Sequence, residues 1–359
     1  MTTLPVGFAG RVVRWQQAHG RNTLPWQSTR DPYRVWLSEV MLQQTQVATV
    51  LDYYTRFLDR FPDVHALASA PEDEVFGMWS GLGYYSRARN LHRCAREVVA
   101  LHGGAFPGSA AQLQTLPGIG RSTAAAIASF CFGERVAILD GNVKRVLARV
   151  LAFDGDLASA ASEKLLWSHA QALLPARNAA QAMPRYTQGL MDIGATVCAV
   201  RNPSCLICPL HDVCEAQRQG KPEKYPVKTR KLKRSAQSLW LLRARTTNGD
   251  VWLEKRPATG IWAGLYCLPV FDTRDALQAA LAKPATLRDE EPFVHVLTHK
   301  DLHLHPVAAD FRVDPVRGSE GAWFGIAEWQ RLGLPAPIRR LLGREVSMSS
   351  YPAQAMQRR

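Results

Sequence analysis

From Phe8 to about Cys214 apolar residues recur at helical spacing, and Trp36, Val40, Val47, Val50, Leu51, Tyr54, Phe57 and Leu58 form one such stripe. Its start is marked by Asp31, placed to cap a helix, and by Pro32, whose missing N–H costs nothing in a first turn. Gly103-Gly104, Pro107-Gly108, Pro117-Gly118-Ile119-Gly120 and Gly133 punctuate further helical segments, so the pattern predicts an all-α domain over residues 1–217. Between Arg218 and Arg234 stand eight basic residues and one acid, Glu223, interrupted by Pro222 and Pro226, and residues 218–236 read as a basic linker lying against phosphates. The period then changes to two. Ser238–Arg245 and Asp250–Arg256 flank Thr247-Asn248-Gly249, whose Asn-Gly pair predicts a type I′ hairpin. A second strand-like stretch, Phe293–Val307, with helical segments at Asp275–Leu281 and Pro337–Leu342, gives an α+β sandwich over 237–345, followed by a flexible tail at 346–359.

A chain of 359 residues exceeds one ordinary hydrophobic core, and 47% apolar content supplies two. The formal charge of +13 points to a polyanion, either nucleic acid or an anionic membrane. No run approaches the length of a membrane span, and Met1–Gly10 has neither a basic leader nor a long apolar stretch, so the expected setting is the cytoplasm, without a membrane partner. A reducing compartment agrees with Cys94, Cys131 and Cys267 as small buried hydrophobes.

Cys198, Cys205, Cys208 and Cys214, spaced C-x6-C-x2-C-x5-C, call for a metal centre. Tetrahedral sulfur suits zinc or an iron-sulfur cluster; one tight pair between two longer arms favours a 4Fe-4S cubane over a zinc ribbon. Leu116-Pro-Gly-Ile-Gly-Arg-Ser-Thr-Ala124 sets a glycine-rich turn before a helix, an arrangement that binds an anion and here suits a DNA phosphate, since it lacks a Walker ending. Asp140 ends the apolar run Val136–Leu139 and opens a helix, either as a plain N-cap or as a carboxylate kept ionised beside a developing positive charge. Twenty residues separate it from Gly120, enough to bring it back near the phosphate-binding turn. Glu39 sits among apolar neighbours in Trp36–Val47, paired structurally or holding a raised pKa suited to general-acid work. Gln43 and Gln44 place amides one turn further, able to bond base edges.

Asp31–Val50, the hairpin Leu116–Ala124, Asp140 and the four cysteines, in this order, resemble the endonuclease III superfamily of helix-hairpin-helix DNA glycosylases. Ser122 stands where lyase members carry a lysine; this, Gly81–Asn90 and the C-terminal domain resemble the adenine-specific (MutY) branch. The resemblance implies a monofunctional base-excision enzyme, acting as a monomer near the nucleoid, that removes adenine mispaired with 8-oxoguanine or guanine in double-stranded DNA. It implies that Glu39 protonates adenine, Asp140 stabilises the oxocarbenium sugar, and the cysteines hold a structural 4Fe-4S cluster. Leu24, Trp26, Gln27 and Gln188 match the adenine pocket, and Gln43 and Tyr84 the residues that wedge the duplex. Gln44, Ser122 and Asn142 complete the substrate contacts, and Gly118, Gly120 and Lys144 those to the DNA backbone. The C-terminal domain resembles a Nudix module without its glutamate-rich metal helix, so it is expected to bind 8-oxoguanine rather than hydrolyse. Its recognition loop is Leu297-Thr298-His299, where the family has Phe-Ser-His. Rival readings are an oxidised-pyrimidine glycosylase and lyase, opposed by Ser122; a silent iron-sulfur DNA-binding protein, opposed by the two carboxylates; and a Nudix hydrolase, opposed by the missing box. A metal site at His295, His299, His303 and His305 has no carboxylate or cysteine to complete it.

Overall fold

The computed structural model describes residues 4–229 and 234–349, and the chain divides into two compact units. Residues 1–69 and 90–231 form the first, and 70–89 with 232–359 the second. The expected tail at 346–359 falls largely outside the described residues, as does part of the basic linker.

The first unit is helical. Its elements include α1 (Phe8–His19), α2 (Pro32–Leu42), α3 (Val47–Arg60), α4 (Arg121–Phe132), α5 (Gly141–Val150), α6 (Ala160–Ala172) and α7 (Ala179–Asp192). The α2 start follows from local chemistry: Asp31 accepts from the Tyr33 N–H at 2.9 Å, and Pro32 occupies the first turn. The stripe from Trp36 to Leu58 is not one helix. It breaks at Gln43–Gln46, where Gln44 takes a left-handed φ of 58°, and resumes in α3 with its apolar phase nearly kept, which is why the periodicity hides the break. The core joins Phe8 and Val12 of α1 to Val143, Val146 and Leu147 of α5 and to Tyr186 and Leu190 of α7. The hairpin before α4 needs glycine at 118: its φ is +74°, and a Cβ there would lie 2.6 Å from the Asn90 Cβ. Two short parts of the expected linker are regular structure: residues Pro222–Lys224 form a 3-10 turn and Ser235 already begins a strand.

The second unit holds one eight-stranded sheet: β1 (Ser235–Arg245), β2 (Val251–Lys255), β3 (Tyr266–Cys267), β4 (Val270–Phe271), β5 (Arg288–Asp289), β6 (Phe293–Val296), β7 (Lys300–Asp310) and β8 (Gly321–Phe324). The order β3-β2-β1-β7-β5 is mixed, because β1 and β7 run parallel from Ser235↔Lys300 to Arg245↔Asp310 while the other pairs are antiparallel. Alternation along β1 sends Leu239 and Leu241 to a core shared with Ile338 and Leu342 of α9 (Ala336–Ser349). Leu242 and Ala244 face the other way, towards Leu277 of α8 (Arg274–Ala280). Helices thus cover both faces, and the apolar run Leu239–Ala244 serves two cores at once. The hairpin between β1 and β2 is not type I′: only Gly249 has positive φ (88°), and the Gly249 N–H bonds to Thr246 O at 3.0 Å. That is a three-residue loop ending in a left-handed glycine, a geometry that asks nothing unusual of Asn248. The stretch Phe293–Val307 is likewise two strands, β6 and β7, turning at Leu297–His299 with Leu297 N–H bonded to Lys300 O at 2.8 Å. Residues 70–89, including the helix Glu72–Met78, pack in this unit: Tyr85 Oη donates to Leu334 O (3.1 Å) and Lys255 pairs with Asp73 (2.5 Å).

Candidate active site

Asp140 caps α5, its Oδ1 accepting from the Val143 N–H at 2.7 Å. Burial raises its pKa, while bonds from the Val143 and Asn142 amides and the Arg145 and Lys144 charges pull the other way. Glu39 projects from the middle of α2, and its carboxyl is pushed up to about 8, first by burial and second by the Asp140 charge, with no hydrogen bond offsetting either. Both line one cleft of about 950 Å³ with Leu24, Trp26, Gln43, Gln44, Ser122, Asn142 and Gln188. The break between α2 and α3 is what turns Gln43 into the cleft, where its Nε2 donates to Thr123 Oγ1 at 3.3 Å.

A smaller cavity of about 430 Å³ adjoins Glu39 and is lined by Trp26, Gln27, Ser38 and Gln188. Its polar groups are complementary to a heteroaromatic base. Gln27 Oε1 accepts from the Leu24 N–H (3.3 Å), which leaves its Nε2 buried with no acceptor among the described residues. Gln188 Nε2 is committed to Asp192 Oδ1 at 2.9 Å, which leaves its carbonyl oxygen as the group for a ligand. Asp192 is fully buried, and it also holds Arg21 through the backbone N–H (3.0 Å) and Nε (2.7 Å). The sequence gives one hint of this link: Asp192 stands one helical turn after Gln188.

Gly118 and Gly120 are exposed at the hairpin turn, and the space around a Cβ at Gly120 is open, so its backbone is accessible. Lys144 is paired with Glu163 of α6. Asn142 lines the cleft, and its Oδ1 accepts from Arg145 Nη2 at 2.9 Å.

Cys198, Cys205, Cys208 and Cys214 line a single, largely apolar cavity with Val146, Arg149 and Leu210. Among the described residues no three His, Cys, Asp or Glu side chains stand close enough to share one metal ion. The loop is tied to α5 by two arginines one turn apart. Arg149, 2% exposed, donates to Tyr225 O (3.1 Å), Ala199 O (2.6 Å) and Val200 O (3.0 Å) and approaches Cys198 Sγ at 3.3 Å. Arg145 donates to Cys198 O (2.7 Å) and Gly194 O (2.6 Å). Sequence reading missed both arginines, although a buried arginine on the apolar face of an amphipathic helix is a signal in itself.

In the second unit Tyr84 is about half exposed, with a left-handed φ of 49°. Its ring lies near the Arg87 guanidinium, which bonds to Leu82 O (3.0 Å) and Gly83 O (3.2 Å) and so fixes the turn. Tyr84 Oη and Thr298 Oγ1 are 3.3 Å apart, joining this turn to the tip of the β6–β7 hairpin. Thr298 and His299 are exposed; Leu297 is partly buried against the sheet core.

The superfamily of HhH-GPD base excision DNA repair proteins matches residues 37–172, and a NUDIX domain matches residues 240–344. The adenine DNA glycosylase of Buchnera aphidicola subsp. Baizongia pistaciae is 36% identical over 351 residues, 95% of this chain and 97% of that protein. The human adenine DNA glycosylase is 45% identical over 226 residues, 60% of this chain and 40% of that one. A solved thermostable thymine-DNA glycosylase shares the helical fold, with a TM-score of 0.51 and 28% identity across 59% of this chain and 95% of its own. Among the described residues no helix is long and apolar enough to cross a membrane. With relatives matched along nearly its whole length and both domains in the same order, the chain belongs to the adenine DNA glycosylases, base-excision repair hydrolases of the HhH-GPD superfamily.

Proposed function

We propose that this enzyme excises adenine paired with 8-oxoguanine or guanine in duplex DNA, by hydrolysis alone, leaving an abasic site. One observation carries the reading: Glu39, with its pKa pushed up to about 8, shares a cleft with the helix-capping Asp140. At neutral pH Glu39 holds its proton and can pass it to adenine N7, which makes the base a neutral leaving group. As the N-glycosidic bond breaks, positive charge grows on the sugar. Asp140, whose ionised form is supported by two backbone amides and two cations, stabilises that charge. Gln27 Nε2 and the Gln188 carbonyl oxygen give the adjoining cavity one donor and one acceptor, which complements the ring nitrogens and exocyclic amine of adenine. Gln43 and Tyr84 hold the opened stack, and the hairpin Leu297–His299 contacts the opposite base. Ser122 has no amine to form a Schiff base, so strand scission is left to other enzymes.

Cys198, Cys205, Cys208 and Cys214 would hold a 4Fe-4S cluster. Four thiols lining one largely apolar cavity, in the spacing C-x6-C-x2-C-x5-C, are the donor set that such a cluster takes. When bound, the cluster supplies cross-links that fix the loop; the hydrolysis needs no electron from it. Cleavage assays on Glu39→Gln and Asp140→Asn test the roles. Each substitution should abolish excision while duplex affinity stays near that of the parent, and full activity in either would overturn the assignment.

A further inference from the structure

Among the described residues three cations line the cleft that contains Asp140: Arg21, Arg145 and Lys228. Two are spent on the protein. Arg21 is fixed to the buried Asp192, and Arg145 gives its donors to Asn142, Gly194 and Cys198. Lys228 is exposed and forms no ion pair or hydrogen bond among the described residues. It belongs to the basic stretch after the cysteine loop, yet its backbone is held on both sides. The Arg149 guanidinium binds Tyr225 O at 3.1 Å, Val227 O accepts from the Leu157 N–H at 3.1 Å, and Thr229 bonds to Asp156 through its N–H (3.3 Å) and its hydroxyl. The order lost on fixing Lys228 has therefore already been met in the free protein, so binding an anion there costs mainly the side-chain rotamers.

We propose that Lys228 binds a phosphate next to the flipped nucleotide, holding the DNA strand so that its sugar faces Asp140. This rests on the glycosylase reading above. A nucleotide turned out of the helix carries its two flanking phosphates to the mouth of the cleft, where one sits near the Asp140 carboxylate. A neighbouring anion would raise the Asp140 pKa further and oppose binding. A cation at that mouth offsets the repulsion, and among the described residues Lys228 is the cleft cation with no protein partner to give up. A lysine suits the task because an ammonium on a flexible stem follows a phosphate as a point charge, without the fork geometry that an arginine imposes.

The test is binding of the full chain to a duplex holding a non-hydrolysable adenosine analogue opposite 8-oxoguanine, measured across a salt series for the parent, Lys228→Gln, Lys228→Arg and Asp156→Ala. Losing one phosphate contact should flatten the slope of log K against log [salt] by about 1 and weaken binding alike on 8-oxoguanine and guanine duplexes. Lys228→Arg should restore most of the slope. Asp156→Ala, which frees Thr229 and so loosens the segment, should lose affinity with the slope largely kept. An unchanged slope in Lys228→Gln would overturn the proposal. Because the readout is binding, failure here is separable from failure of the glycosylase reading, which absent excision by the parent enzyme would reveal.

Discussion

Replacing Glu39 by glutamine should stabilise the fold, and the gain should depend on pH. The ordinary carboxyl value of 4.5 applies in the unfolded chain, and about 8 applies in the folded one. Below 4.5 both states keep the proton and the residue costs nothing. Between 4.5 and about 8 the unfolded chain releases it while the folded protein retains it, so stability falls steadily with rising pH; above 8 the loss is complete and constant. At about 1.4 kcal/mol per pH unit the ceiling is about 5 kcal/mol. Glu39 opens onto a cleft that admits solvent, so about 2–3 kcal/mol is the expected size. Glutamine has the same shape and does not titrate. Urea unfolding of parent and Glu39→Gln from pH 4.5 to 9 should give curves that nearly meet at the acid end and separate progressively up to pH 8. A difference independent of pH would refute the reasoning, since packing changes do not titrate.

Three further outcomes follow from the same geometry. The single-turnover excision rate should fall as pH rises past about 8, when Glu39 loses its proton, and fall on the acid side as Asp140 gains one; a flat profile would separate the chemistry from these groups. Arg149→Met should leave the buried Tyr225 carbonyl and the partly buried Ala199 and Val200 carbonyls of the cysteine loop without their donor, cost about 1–3 kcal/mol in thermal or chemical unfolding, and reduce bound iron in parallel. Thr298→Ala removes the hydroxyl bonded to Tyr84 and should lower the preference for 8-oxoguanine over guanine in competition cleavage, whereas equal losses on both duplexes would point to damage of the fold.

What the sequence made legible is local. The Asp31 and Asp140 caps each bond an amide two or three residues away, and the Pro32 start and the glycine turn at 118 need only neighbours in the chain. The two strand-rich stretches around residues 240 and 300 could be read by period, but their parallel pairing joins segments some 65 residues apart, as in Ser235↔Lys300, and period says nothing of partners. The break at Gln43–Gln46 was hidden because α3 resumes with nearly the same apolar phase. The β1–β2 turn went wrong because Asn-Gly also fits a longer loop that needs only the glycine at positive φ. The supports of the site are the least legible: Asp192 reaches Arg21 across 171 positions, and Arg149 reaches the cysteine loop across about 50. Such pairings are fixed by tertiary packing of α1, α5 and α7, which no short window contains.

The most direct measurement of the central claim is a denaturing-gel assay on three duplexes, holding adenine opposite 8-oxoguanine, adenine opposite guanine, and thymine glycol, each split into halves with and without alkali. The account predicts strand breaks at adenine in the first two duplexes only after alkali, and none at thymine glycol. Breaks at thymine glycol without alkali, or no excision of adenine at all, would contradict it.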